Sequence, residues 1–167
     1  KSKFLISCLF IFISGTITAA TQPLFAGRLL TQPREVQYFQ LKDTQQQSYG
    51  VDQLKGHWTL MYFGFTRCQG KCPVSFTALK GMYSSLKKQK LDKELIPQVV
   101  FVSVDPQRDT LSDINTFTHK YNPSFIGLSG DLNHLLALSN QLDVSFHVVN
   151  QGSRDYTITH TGEISVI

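Results

Sequence analysis

Cysteine, methionine and tryptophan are scarce in this chain, at three, two and one residues, and charged side chains make up only 17%. With 41% hydrophobic residues, and with six Pro and eleven Gly scattered rather than clustered, the composition excludes a disordered, self-repelling polypeptide. A strong excess of one charge is also missing. The formal charge is +4, but Lys1 and Lys3 supply two of the 16 basic side chains, which leaves 14 against 12 acidic ones. The one basic run, Lys87, Lys88 and Lys90, has no interleaved aromatic residues of the kind a nucleic-acid surface uses for stacking. At a helix end it reads as a solvated face favoured by the helix dipole, and no nucleic-acid partner is expected.

No acidic residue occurs in the first twenty positions. Lys1-Ser2-Lys3 is a short positive region, Phe4 to Ser14 is apolar, and Thr18-Ala19-Ala20 supplies small residues for cleavage, the pattern of an export signal. The 17 residues from Phe4 to Ala20 also sit at the lower edge of what crosses a bilayer, so residues 1–20 are read as a signal peptide or an N-terminal membrane anchor of an exported, periplasmic protein, which the anchor would tether to the inner membrane. Cys8 precedes most of the apolar stretch and is taken as part of that segment. Residues 21–34, with Pro23 and Pro33 and no clear period, read as a linker. Residues 35–167 are the length of one domain with one core.

Beyond the export segment only Cys68 and Cys72 remain, four positions apart. A disulfide closing so short a loop restrains the unfolded chain little, so a lone close pair in an exported protein points to redox or metal chemistry. The flanking pattern is strand then helix. Trp58 to Phe65 is a continuous apolar or β-favouring run suited to a strand buried on both faces. After the cysteines, Val74, Phe76, Leu79, Met82, Tyr83 and Leu86 recur at helical spacing. Val36 to Leu41 predicts a first strand, Lys42 to Gly50 a turn, and Val99 to Val104 a second buried strand. Thr110 with Asp113 predicts a capped helix through Tyr121, Phe125 to Leu128 a short strand, and Asp131 the cap of a helix over Leu132 to Leu142. Val144 to Val149 resumes the β pattern, and Tyr156 to Thr159 and Glu163 to Ile167 predict two strands joined at His160-Thr161-Gly162. Such alternation implies an α/β layered sheet with right-handed crossovers. The chain stops within the last hydrophobic run, which predicts a closing C-terminal helix beyond Ile167.

On a helix, residues four apart share one face, so both sulfurs reach one small object. A helix N-terminus stabilises thiolate, and Arg67 and Lys71 push the same way. Two thiolates and one imidazole suit copper(I), whereas structural zinc takes four protein ligands. Of the five histidines, His160 at its polar turn is the best candidate third ligand; its other reading is a surface histidine at a hairpin. His57 precedes the buried strand at the end away from Cys68. His119 and His134 fall in helices and His147 in a strand, where structural roles are expected. The loop Asp105-Pro106-Gln107-Arg108-Asp109 follows the second central strand, at the same sheet edge as the cysteine loop if the strands are parallel; it either frames the metal site or docks a partner, or is a turn with caps.

Several runs together resemble the Sco/SenC copper proteins of cytochrome c oxidase assembly: Gly64-Phe65-Thr66-Arg67-Cys68 with Cys72-Pro73, Phe101-Val102-Ser103-Val104-Asp105-Pro106 with Arg108-Asp109-Thr110, Phe125-Ile126-Gly127-Leu128, and Tyr156 followed by His160, 88 positions after Cys72. The likeness runs from about Glu35 to Ile167. It implies a thioredoxin-like α/β fold, a mixed sheet flanked by helices, with one copper ion on Cys68, Cys72 and His160. It also implies a role in building the dicopper centre of the oxidase, whose copper-site subunit would be the partner, with a thiol-disulfide reductase or another copper chaperone as further partners and the membrane reached through the N-terminal segment. The chain departs from that family at Gln69-Gly70-Lys71, where a Pro-Asp-containing insert is common, and at Thr159, where Asp is common. The competing readings are a periplasmic thiol-disulfide oxidoreductase using Cys68 and Cys72 without metal, and a copper-responsive sensor or interaction module.

Overall fold

The computed structural model describes residue 27 and residues 30–149 and 156–167; the predicted export segment, Cys8 and most of the linker lie outside the described residues. Glu35–Ile167 forms a compact unit. Its centre is β3 (Thr59–Gly64), paired in parallel with β4 (Gln98–Ser103), with Thr59 opposite Gln98 and Gly64 opposite Ser103. β5 (Ile126–Ser129) continues the parallel set beside β4. The flanks are antiparallel: β1 (Gln40–Asp43) pairs with β5 and with β2 (Ser48–Gly50), while β8 (Ile164–Val166) pairs with β3. The order across the mixed sheet is β2-β1-β5-β4-β3-β8. α1 (Lys71–Lys88), α2 (Leu111–Tyr121) and α3 (Leu132–Gln141) cover it, and β6 (Phe146–Val149) with β7 (Thr157–His160) forms a separate antiparallel ribbon.

Strand alternation divides the core in two. Met61, Phe63, Val100 and Val102 face one side with Leu128, Leu135, Leu138, Phe146 and Ile158, while Tyr62, Val99 and Phe101 face the other with Cys72, Phe76, Leu79, Ile114 and Phe125. That is the two-residue period of a pleated strand buried on both faces. Phe76 of α1 anchors the second side, packing edge-on against Tyr62, Phe101, Phe117 and Phe125 at centroid distances of 5.2–6.0 Å. At the start of α2, Asp113 N–H donates to Thr110 Oγ1 while Thr110 N–H donates to Asp113 Oδ2, the reciprocal cap that the sequence predicts. Asp131 caps α3 by accepting from His134 N–H.

Three expectations need correction. The first strand begins at Gln40 rather than Val36, because the ladder with β2 starts where Gln40 meets Gly50. The stretch Lys42 to Gly50 is not all turn, because Tyr49, 5% exposed, turns inward and draws Ser48–Gly50 into a strand. The last two strands are not a hairpin: β7 pairs with β6, putting His160 opposite Phe146, and β8 crosses to the open edge of β3, putting Val166 opposite Leu60.

Candidate metal centre

β3 ends at Gly64, and the chain turns at once, with Cys68 N–H donating to the Phe65 carbonyl at 3.2 Å. α1 then starts after Gly70, which offers no side-chain cap. A helix start leaves amides without partners; here Cys72 N–H points at Cys68 Sγ, 3.5 Å away. The two cysteines are therefore not both helical, as their spacing predicts. Cys72 lies in the first turn of α1 and Cys68 in the loop before it. The loop sulfur nevertheless falls over the helix end, so both sulfurs converge.

His160 arrives from the other direction, as the last residue of β7. Ile158 and His160, two apart, share a face: Ile158 is buried in the core and His160 sits at its rim. The imidazole meets Phe65 and Tyr62 edge-on at 5.9 Å each. Its Nδ1 lies 2.9 Å from the Thr161 carbonyl. Since a carbonyl only accepts, Nδ1 carries the proton and Nε2 holds the free lone pair. Nε2 lies 3.5 Å from Cys72 Sγ. The donor atoms of Cys68, Cys72 and His160 all lie within 4.8 Å of one another, the one group of three or more such residues with metal-ligand geometry among the described residues. Cys72 is buried, Cys68 and His160 are half-buried, and a cleft lined by Phe65, Cys68, Lys71, Ile158, Thr159 and His160 opens the site to solvent.

The electrostatics differ from the expectation that both thiols are biased toward thiolate. Burial, with a smaller push from the neighbouring Cys68 sulfur, raises the Cys72 thiol to about 12. Arg67 and Lys71 are exposed, and Arg67 acts on the Asp113 carboxylate, which is held below its usual range first by its bonds to Thr110. Burial thus favours the neutral thiol of Cys72, whose sulfur faces His160 Nε2 across 3.5 Å.

The loop between β4 and α2 frames the site. Asp109, 4% exposed, accepts from Thr66 N–H at 2.8 Å, Thr66 Oγ1 at 2.6 Å and Ser103 Oγ at 2.7 Å, gripping the cysteine loop. Asp105, 2% exposed, is paired with Arg108 Nε at 2.7 Å. Arg108 also donates to the Tyr156 carbonyl at 2.7 Å and stacks on the Tyr156 ring, whose hydroxyl donates back to Asp105. One loop thus holds Thr66, two residues before Cys68, and Tyr156, four residues before His160. Spacing identifies the loop, but not these partners, which lie 43 and 48 positions away. The other histidines stand apart from the cysteines. His57 lines a cleft with Trp58, Glu94 and Ile167, His134 pairs with Asp131, His119 is on α2, and His147 lies opposite Thr159 in the ribbon.

A thioredoxin-like sheet whose central strand leads into two cysteines, met by one histidine from a separate ribbon, defines a class of thiol-based metal or redox proteins. The SCO1/SenC family model matches residues 28–167, and the chain belongs to that family. It is 34% identical over 125 residues to an SCO2-like protein of Rickettsia prowazekii, a match covering 74% of this chain and 59% of that relative. The chain thus spans about three-fifths of that relative's length. Among solved structures it is similar to apo Sco1 from Thermus thermophilus, with 32% identity, a TM-score of 0.70 and coverage of 83% of this chain and 78% of that one. It is also similar to Bradyrhizobium japonicum ScoI with copper bound, with 30% identity, a TM-score of 0.69 and coverage of 78% and 81%.

Proposed function

We propose that this protein carries a single copper ion on Cys68 Sγ, Cys72 Sγ and His160 Nε2, and that it serves assembly of the dicopper centre of cytochrome c oxidase, working outside the cytoplasm and tethered through its N-terminal segment. The observation that carries the reading is the convergence of the three donor atoms within 4.8 Å. Two soft sulfurs and one imidazole match copper(I), which is stable with three ligands. The half-buried cleft also leaves room for a partner's ligands to replace these one at a time. The copper is cargo: the protein's part is to hold it away from bulk solvent and release it to a site that binds it more tightly. Membership of the SCO1/SenC family, with a relative solved with copper bound, supports the choice of metal.

Anaerobic titration of the reduced protein with copper(I) should give one tight equivalent, and His160→Ala should weaken it. An unchanged affinity in that variant would remove the three-ligand site. A second reading rests on the same pair of sulfurs: both cysteines are free and close, as a thiol-disulfide reductase of target cysteines requires. Turnover of a disulfide substrate, insensitive to His160→Ala and to copper chelation, would put that reading first.

A further inference from the structure

Gly64 closes β3 beside the metal centre, and its surroundings give its missing side chain a purpose. A Cβ on residue 64 would lie 2.8 Å from Cys72 Sγ, 3.0 Å from Phe101 Cε2 and 3.1 Å from Tyr62 Cε1. Its backbone is extended, within a regular parallel ladder, so the need for glycine is spatial and not conformational. The three neighbours differ in their freedom to yield. Phe101 is fully buried and held by Phe76 and Phe117, and Tyr62 is fully buried and held by Phe76 and His160; rings packed this closely give by no more than a few tenths of an ångström. The Cys72 thiol turns about a single torsion. A methyl on residue 64 therefore gains most of its space by displacing the sulfur, the nearest of the three neighbours and the one inside 3.0 Å.

We infer that Gly64 is a positioning residue of the metal centre: the absence of a side chain there is the seat that keeps Cys72 Sγ 3.5 Å from His160 Nε2 and within reach of Cys68. The inference rests on the copper-carrying reading for its consequence, but the seat can be tested without metal. In chelator-treated, reduced protein, the loss of urea midpoint caused by Gly64→Ala should be clearly smaller when Cys72→Ala is already present, because the sulfur it collides with is gone. Equal losses in the two backgrounds would overturn the seat, as would a Gly64→Ala chain that stays unfolded even with Cys72→Ala. In competition with a chromophoric copper(I) chelator, Gly64→Ala should bind copper(I) roughly ten-fold or more weakly, the scale seen when support of a metal ligand is lost. Gly127→Ala is the control: its Cβ would meet Ile114 Cγ2 at 2.3 Å, so it strains the same core without touching the sulfur, and its copper affinity should match the wild type. Wild-type affinity in Gly64→Ala, or an equal loss in Gly127→Ala, would overturn the inference. A wild-type protein that takes up no copper(I) would remove the proposed function and leave the seat to be decided by the metal-free comparison.

Discussion

Cys72 combines two properties that oppose each other. Its burial would shield the proposed copper from solvent and also raises its thiol to about 12, so below that pH the metal would have to displace a proton to bind. Apparent copper(I) affinity should therefore rise with pH, by about ten-fold per unit for each proton released. Competition titrations at pH 6, 7 and 8 check this, and a flat profile would show that Cys72 is not a ligand. Asp109 is the second residue whose environment sets its role. Asp109→Ala strands the half-buried Thr66 amide and hydroxyl and the buried Ser103 hydroxyl, which should cost about 1–3 kcal/mol in urea unfolding. The same change should weaken copper binding, because it frees the cysteine loop. Unaltered stability would mean that water replaces the carboxylate there.

At the level of elements, the site depends on three pieces that do not adjoin in sequence: the loop after β3, the first turn of α1, and the end of β7. The β4 to α2 loop connects them through Thr66 and Tyr156. Replacing Arg108 with Lys would keep the charge but lose the simultaneous grip on Asp105 and the Tyr156 carbonyl; we expect copper affinity to fall while α2, capped independently by Thr110 and Asp113, stays folded. Thr110→Ala should have the converse effect, costing about 1 kcal/mol of stability with copper affinity retained. Chemical unfolding and copper competition on both variants separate the two roles.

Over the whole molecule, what was legible in the sequence is what is local. The runs at Thr59–Gly64 and Gln98–Ser103 are buried strands because their apolar residues are continuous, and the caps of α2 and α3 follow from residues three apart. What was not legible depends on packing between distant segments. The partner of β7 could not be chosen from the pattern, since β6 and β8 look equally suitable and only the open edge of β3 decides between them. The placement of Cys68 off the helix, the elevated thiol of Cys72 and the close approach at Gly64 all arise where β3, α1 and the ribbon meet. His160 shows the division most clearly. Spacing leaves it between a ligand and a surface residue, and the Phe146 to His160 register brings its ring to the cysteines. Its assignment as a ligand remains the point on which the functional account turns. X-ray absorption on the copper-loaded protein, with stoichiometry measured on the same sample, tests it most directly: the account predicts one copper(I) with two sulfur neighbours and one nitrogen, and a copper bound by sulfur alone, or by two nitrogens, would contradict it.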